Sequence, residues 1–315
     1  TENAMYAIMS YMYTSFQSGR PLKNVEADCH VYLPQMADLK RNKAAHQTKA
    51  ILQTIQNIMG KSEDPCVLVG DGMDEVAMLE MATRENDKLI MSMIQAFRMQ
   101  LYALFGRWEE GANYAIAVGD SLADQIPCST MVAIDPFFRG LTLFAMARKT
   151  KQHKYRRHAK KAHKTIRSFV KKGNPNVRHL ESFLDAELAA LEGKTHVATK
   201  HYEVAVVMAT RGGFTHDAAL ANERFAEFLY EDVKDAEMAA FRVNQAVRLY
   251  YEWGSDLKAE MLEEKYGDLL FEHPDSRVDE YKRPQTPTHP TKLFAWKPML
   301  PEEVEVDTSC GPGEQ

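Results

Sequence analysis

The chain has 315 residues, 45% hydrophobic and 26% charged, with 39 basic and 44 acidic side chains for a net charge of −5. That is the composition of a globular protein and excludes collagen-like or low-complexity architectures. No apolar run approaches the roughly 18–20 residues that cross a bilayer, which excludes a helical membrane span.

In chain order the pattern is helix after helix, with apolar residues three and four apart and almost no strand-like alternation. "NAMYAIMSYMYTSF" is closed by Gly19 and Pro21. "NVEADCHVYLPQMADLK" follows, where the internal Pro34 predicts a kink, and then "KAAHQTKAILQTIQNIMG", ending at Gly60. Residues 61–72, "KSEDPCVLVGDG", form a loop whose "CVLVGDG" is too short and isolated for a strand. "MDEVAMLEMA" begins a helix with acids in its first turn, where the helix dipole favours them. Asp71, Asp74 and Glu75 lack the ligand spacing of a calcium loop, and N-capping accounts for them.

The later helices are "DKLIMSMIQAFRMQLYALFG", "RWEEGANYAIAVGDSLADQI", "MVAIDPFFRGLTLFAMAR", "HKYRRHAKKAHKTIRSFVKK", "VRHLESFLDAELAALEG", "KTHVATKHYEVAVVMATRGG", "THDAALANERFAEFLYED", "KDAEMAAFRVNQAVRLYYEWG" and "SDLKAEMLEEKYGDLLFE". Several end at Gly, which enters the left-handed conformation at little steric cost. Beyond about His273 the periodicity stops, and seven of the thirteen prolines fall in the last 42 residues. The expected organisation is a helical domain over 1–272 and a flexible, disordered tail over 273–315.

Four anchors recur through this array. Small or aromatic residues stand five, nine and twelve positions after Gly106 (Gly111, Ala115, Val118), Thr150 (Tyr155, Ala159, Ala162), Gly193 (Ala198, Tyr202, Ala205) and Lys234 (Ala239, Val243, Ala246). A period slightly above forty residues marks stacked helical hairpins. The anchor sits in the turn, and the small residue five on lets the second helix approach the first. The expected fold is all-α, a tetratricopeptide-like α-solenoid of about six hairpins. Gly193-Lys194-Thr195, the last three letters of a phosphate-binding loop, is then a hairpin turn: the required first glycine would stand at Leu188, inside an apolar helix.

"ALFGRWEEGANYA", "AELAALEGKTHVATKHYEVAVVMATRGGFTHDAALANERFAEFLY" and "AAFRVNQAVRLYYEWGSDLKAEMLEEKY" closely resemble the tetratricopeptide-like helical region of very large signalling ATPases. In those proteins a kinase-like domain and an AAA-type P-loop ATPase precede this region, and GAF and histidine-kinase domains often follow. The resemblance covers roughly residues 1–270 and is strongest over 181–270. It implies a sensory or relay scaffold coupled to an ATPase elsewhere in a parent chain. The opening Thr1-Glu2-Asn3 fits a piece of something longer, without an export signal. No P-loop, aspartate-box or histidine-kinase motif occurs here, so none of the catalytic activity is carried over.

The charge is unevenly spread. Arg148 to Lys172 holds twelve Lys/Arg and no acid, leaving 27 basic against 44 acidic groups, net −17, elsewhere. Tyr155, Ala159, Ala162, Ile166, Phe169 and Val170 form a buried face of this helix. Lys154, Arg156, Arg157, Lys160, Lys161, Lys164 and Arg167 then face solvent; they are either simply solvated or, in the six other than Arg156, a docking patch for a protein partner or a neighbouring domain. A long nucleic acid would be repelled by the acidic body, and no nucleic-acid motif is present.

Metal and cofactor sites are not expected. His153, His158 and His163 recur every five residues and cannot converge on one ion. Glu223, Glu227 and Glu231 read as a solvated acidic face. The methionine-rich helices read as packing surface, with some Met available to a concave groove. Cys29, Cys66, Cys128 and Cys310 are far apart with no C-x-x-C pair, which predicts reduced, mostly buried thiols in a cytoplasmic protein. In the tail, "LFAWKPML" reads as a short docking motif or as linker. The function these readings favour is non-catalytic, protein–protein interaction and signal relay; the alternative is a small-molecule-sensing helical domain that regulates an attached ATPase.

Overall fold

A computed structural model describes residues 2–119, 122 and 131–272. Its helices are α1 (Glu2–Gln17), α2 (Leu22–Asp38), α3 (Asn42–Ile58), α4 (Glu75–Arg84), α5 (Lys88–Leu104), α6 (Trp108–Val118), α7 (Met131–Thr150) and α8 (His153–Lys171). After a 3₁₀ turn (Pro175–Val177) come α9 (Arg178–Leu191), α10 (Thr195–Gly212), α11 (Thr215–Phe228), a π turn (Leu229–Val233), α12 (Ala236–Trp253), α13 (Asp256–Lys265) and α14 (Gly267–Glu272). Among the described residues the nearest thing to a sheet is one isolated bridge, from Val69 in the predicted loop to Asp74, which the sequence placed at the start of the next helix. The readings of residues 273–315 and of "LFAWKPML" lie outside the described residues.

The turns follow one recipe. The chain steps into the left-handed region just past a helix end, at Gly19, Gly60, Gly106, Gly193, Gly213 and Gly254, and also at Lys40, Asn86, Lys151 and Lys234. Gly193 has φ +70° and is flanked by α9 and α10, so Gly193-Lys194-Thr195 is a helix–helix turn and no strand enters it. The second anchor is shifted by one residue: the turn is made by Lys151, φ 57°, and not by Thr150. Thr150 closes α7 instead, its hydroxyl donating to the Met146 carbonyl at 2.8 Å.

Of the twelve positions that follow these turns at the repeat spacing, ten are buried, and Val118 and Ala162 are half-buried. Ala198, Tyr202, Ala205, Ala239, Val243 and Ala246 are all buried. At Gly111 an added Cβ would lie 2.8 Å from both Thr142 Cγ2 and Tyr102 Cβ, so the missing side chain brings α6 against α5 and α7. The most extensive helix contacts join α7 to α8, α9 to α10 and α11 to α12. Pro34 sits within α2, which continues through it to Asp38.

The loop after α3 is tied down by two buried amides. Gln53 Oε1 accepts from the N–H groups of Gly72 (2.9 Å) and Met73 (3.1 Å), while Asn57 Nδ2 donates to the Val67 carbonyl at 2.6 Å. Asp74 caps α4, accepting from the Ala77 N–H at 2.9 Å. Its neighbour Glu75 has a different role: it is buried, accepts from Leu68 N–H and pairs with Arg98 at 2.9 Å. Cys29 and Cys66 are free, buried thiols, each pushed up to about 12, mainly by burial.

The first helices also meet the last. Phe16 of α1 stacks on Trp253 of α12, and Ser255 Oγ donates to the Ile58 carbonyl at 2.9 Å. An added Cβ on Gly60 would lie 2.9 Å from Leu257 Cβ, and one on Gly19 would lie 2.6 Å from the Thr215 nitrogen. In an open stack each pair touches only its neighbours. Here a seam joins the two ends of the helical array.

Candidate docking face

Helix α8 carries the cationic strip, and its register divides the strip into rows. Tyr155, Ala159, His163 and Ile166 are buried, whereas Ala162, Phe169 and Val170 are only half-buried at the edge of that face. His163 was missed as a packing residue. Its ring lies edge-on to Phe144, and Nε2 is 3.0 Å from Asp185 Oδ1. His153 and His158 are exposed, so the three histidines do not converge.

Beside the buried face runs a row of cations matched by acids of α9 and its C-terminal turn. Arg156 and Lys160 reach Glu192 at 2.9 and 3.4 Å, and Arg167 reaches Asp185 at 2.6 Å and Glu181 at 3.8 Å. Hydrogen bonding from Lys194, and then from Lys160 and Arg156 against a slight loss of solvent, holds the Glu192 carboxyl at about 2. Burial pushes Asp185 up, but His163 and Arg167 outweigh it and leave its pKa below the ordinary value.

The third row is different. Lys154, Arg157, Lys161 and Lys164 are exposed and follow one another at spacings of three, four and three. At 100° per residue they fall within about 80° of arc along about 15 Å of helix, nearly opposite the buried face. None of the four forms an ion pair among the described residues; the Lys154 ammonium lies 4.6 Å above its neighbour's ring, Tyr155. Of the six cations singled out in the sequence, the structure thus places four on a free row and neutralises two, Lys160 and Arg167.

The acidic row on α11 is not a solvated face. Glu223 pairs with Lys258 at 2.7 Å and accepts from the Tyr250 hydroxyl, and Glu227 accepts from Arg224 at 2.8 Å; only Glu231 is exposed. The reading failed because α11 is packed on both sides, so its carboxylates serve as counterions to lysines of α13 and to Arg224 on the same helix, and accept from the Tyr250 hydroxyl of α12. The centre of this network is Glu187 of α9, fully buried, accepting from Arg224 at 2.9 and 3.2 Å and from the Tyr202 hydroxyl at 2.9 Å. Burial raises its pKa, but Arg224 and Arg148 more than offset this and hold it below the ordinary value. Arg224 also lies 4.9 Å over the Trp108 ring.

Among the described residues no group of three or more His, Cys, Asp or Glu is placed to hold a metal ion, and no helix is long and apolar enough to cross a membrane. No family model, no curated protein and no solved structure matches the chain.

Proposed function

We propose that this chain is a non-catalytic scaffold of tetratricopeptide-like stacked hairpins that docks an acidic segment of a protein partner, or of a neighbouring domain, on the free row of α8. The observation that carries the reading is the contrast between the two cationic rows. One is matched residue by residue by Glu181, Asp185 and Glu192, while Lys154, Arg157, Lys161 and Lys164 stand in line without counterions among the described residues. Like charges at this spacing destabilise an isolated helix by a few tenths of a kcal/mol per pair. An acidic partner removes that repulsion on binding and is steered to the row as it approaches.

The solenoid reading is supported by the recurrent left-handed turns at Gly106, Lys151, Gly193 and Lys234 and by the buried small residues that follow them. The sequence resemblance extends the reading to a relay region of a larger ATPase- or kinase-type signalling protein. A protein partner is favoured over nucleic acid because the row is short and the rest of the chain carries net −17.

Fluorescence anisotropy with a labelled octaglutamate peptide tests the docking. At physiological salt the combined R157E/K161E/K164E substitution weakens binding about tenfold or more, while K160Q/R167Q, on the paired row, costs much less. Equal loss from both sets, or preferential capture of a twenty-base-pair DNA duplex, overturns the reading.

A further inference from the structure

A cavity of about 240 Å³ opens where the end of α1 and the first turn of α7 face the starts of α9 and α11. Its floor is a buried pair: His179 Nε2 lies 2.8 Å from Asp217 Oδ2, and Asp217 Oδ1 lies 3.4 Å from His216 Nε2. The His179 ring stacks on Phe214, with centroids 4.6 Å apart and planes 18° apart. Ile134 forms part of an apolar wall, and Thr14 and Asn176 stand exposed at the mouth.

The lining fixes the charge of what fits. It contains no Lys or Arg, so nothing there suits a phosphate or carboxylate. Its one carboxylate, Asp217, has each oxygen beside an imidazole and is not free for an organic cation. What remains are neutral groups offering both donors and acceptors: the Thr14 and Ser18 hydroxyls, the Gln17, Asn174 and Asn176 amides and the His179 nitrogen that Asp217 does not occupy. The volume lies just below the range of drug-sized sites, about 300–1,000 Å³, and so suits a single small ring. An apolar pocket with a few convergent polar groups around a buried histidine–carboxylate pair is the usual form of a ligand site.

We infer that this cavity binds a small, uncharged heterocyclic amide, seated against His179 and Phe214. Such a ligand touches α1 on one side and α9 and α11 on the other, so its binding stabilises the seam between the ends of the helical array. This inference is independent of the free row on α8.

The test uses the full 315-residue chain with nicotinamide and uracil as neutral probes and nicotinate as the charged counterpart of the first. Nicotinamide or uracil at millimolar concentration is expected to raise Tm, as a ligand of the folded form must. Nicotinate should not. On titration the imidazole resonances of His179 should move while those of exposed His153 and His158 stay. T14F, placed at the solvent-facing mouth, should weaken binding about tenfold, whereas K161E should leave it unchanged. The inference is overturned by no response to either neutral probe, by an equal response to nicotinate, or by a His179 resonance that does not move. The resonance experiment needs no variant and stands even if T14F misfolds.

Discussion

Phe16 and Trp253 lie with ring centroids 6.1 Å apart and planes 15° apart, although one belongs to α1 and the other to α12. Both are fully buried, and His216 also stacks on the indole, with centroids 5.0 Å apart. This stack is the aromatic centre of the seam. Truncating either ring to Ala should cost about 3–5 kcal/mol in urea denaturation. The double-mutant cycle should give a coupling of about 0.5–1.5 kcal/mol. Zero coupling, with separate unfolding of the two ends, would show that the seam does not hold in solution.

His216 makes the seam sensitive to acid. Burial lowers its pKa below 6.5 against the attraction of Asp217, and His179, beyond Asp217, lowers it slightly further. The unfolded chain therefore takes up the proton more readily than the folded one. The stability at stake is complete above about pH 6.5 and falls as pH drops through the window between that value and the lowered native one. Urea midpoints measured from pH 8 to 5 should fall for the wild type and fall less steeply for H216F. Parallel profiles would mean that another group controls the acid limb.

Glu187 and Glu192 sit five residues apart, the first fully buried and the second half-buried at the surface. E187Q leaves the buried Arg224, and the half-buried Arg148 beside it, without their shared carboxylate and should cost about 3–5 kcal/mol. E192Q removes a partner of Lys160, Arg156 and Lys194 at the surface and should change stability by no more than about 1 kcal/mol. Chemical denaturation of the two variants distinguishes these costs directly.

Gly72 and Gly193 differ in why glycine is present. An added Cβ at Gly72 would lie 2.9 Å from the Gln53 backbone nitrogen, whereas at Gly193 it meets nothing within 4 Å and only φ +70° resists it. G72A should therefore cost about 1–3 kcal/mol and loosen residues 61–74, seen as faster amide exchange at Met73. G193N should cost less, since Asn tolerates the left-handed region.

Helices and most of their ends were legible from local rules. Apolar spacing placed the described helices, although "SDLKAEMLEEKYGDLLFE", read as one helix, divides into α13 and α14, and glycine marked turns such as those at Gly60, Gly106 and Gly193. Lys40, Asn86, Lys151 and Lys234 make the same turn with no such signal, which is why the second anchor was misplaced at Thr150. The free and paired rows of α8 were read as one face because the acids that separate them, Glu181, Asp185 and Glu192, belong to the next helix and its turn. For the same reason Glu223 and Glu227 passed for solvated carboxylates. A residue's periodicity says which face it occupies; only the neighbouring helix says whether that face is wet. The Gln53 and Asn57 amides, the cavity at His179 and the seam depend on contacts between distant segments, and nothing in their local sequence announces them.

The contact between Ser255 Oγ and the Ile58 carbonyl sets a limit on how this molecule can grow. A modular array lengthens by gene duplication, each extra pair adding a storey to an open staircase. Here two further helices inserted after α8 would prise α1 from α12 and strand Phe16 and Trp253 in water. Exchange of surface residues would leave that closure intact, whereas a change in the number of helices between Ile58 and Ser255 would break it.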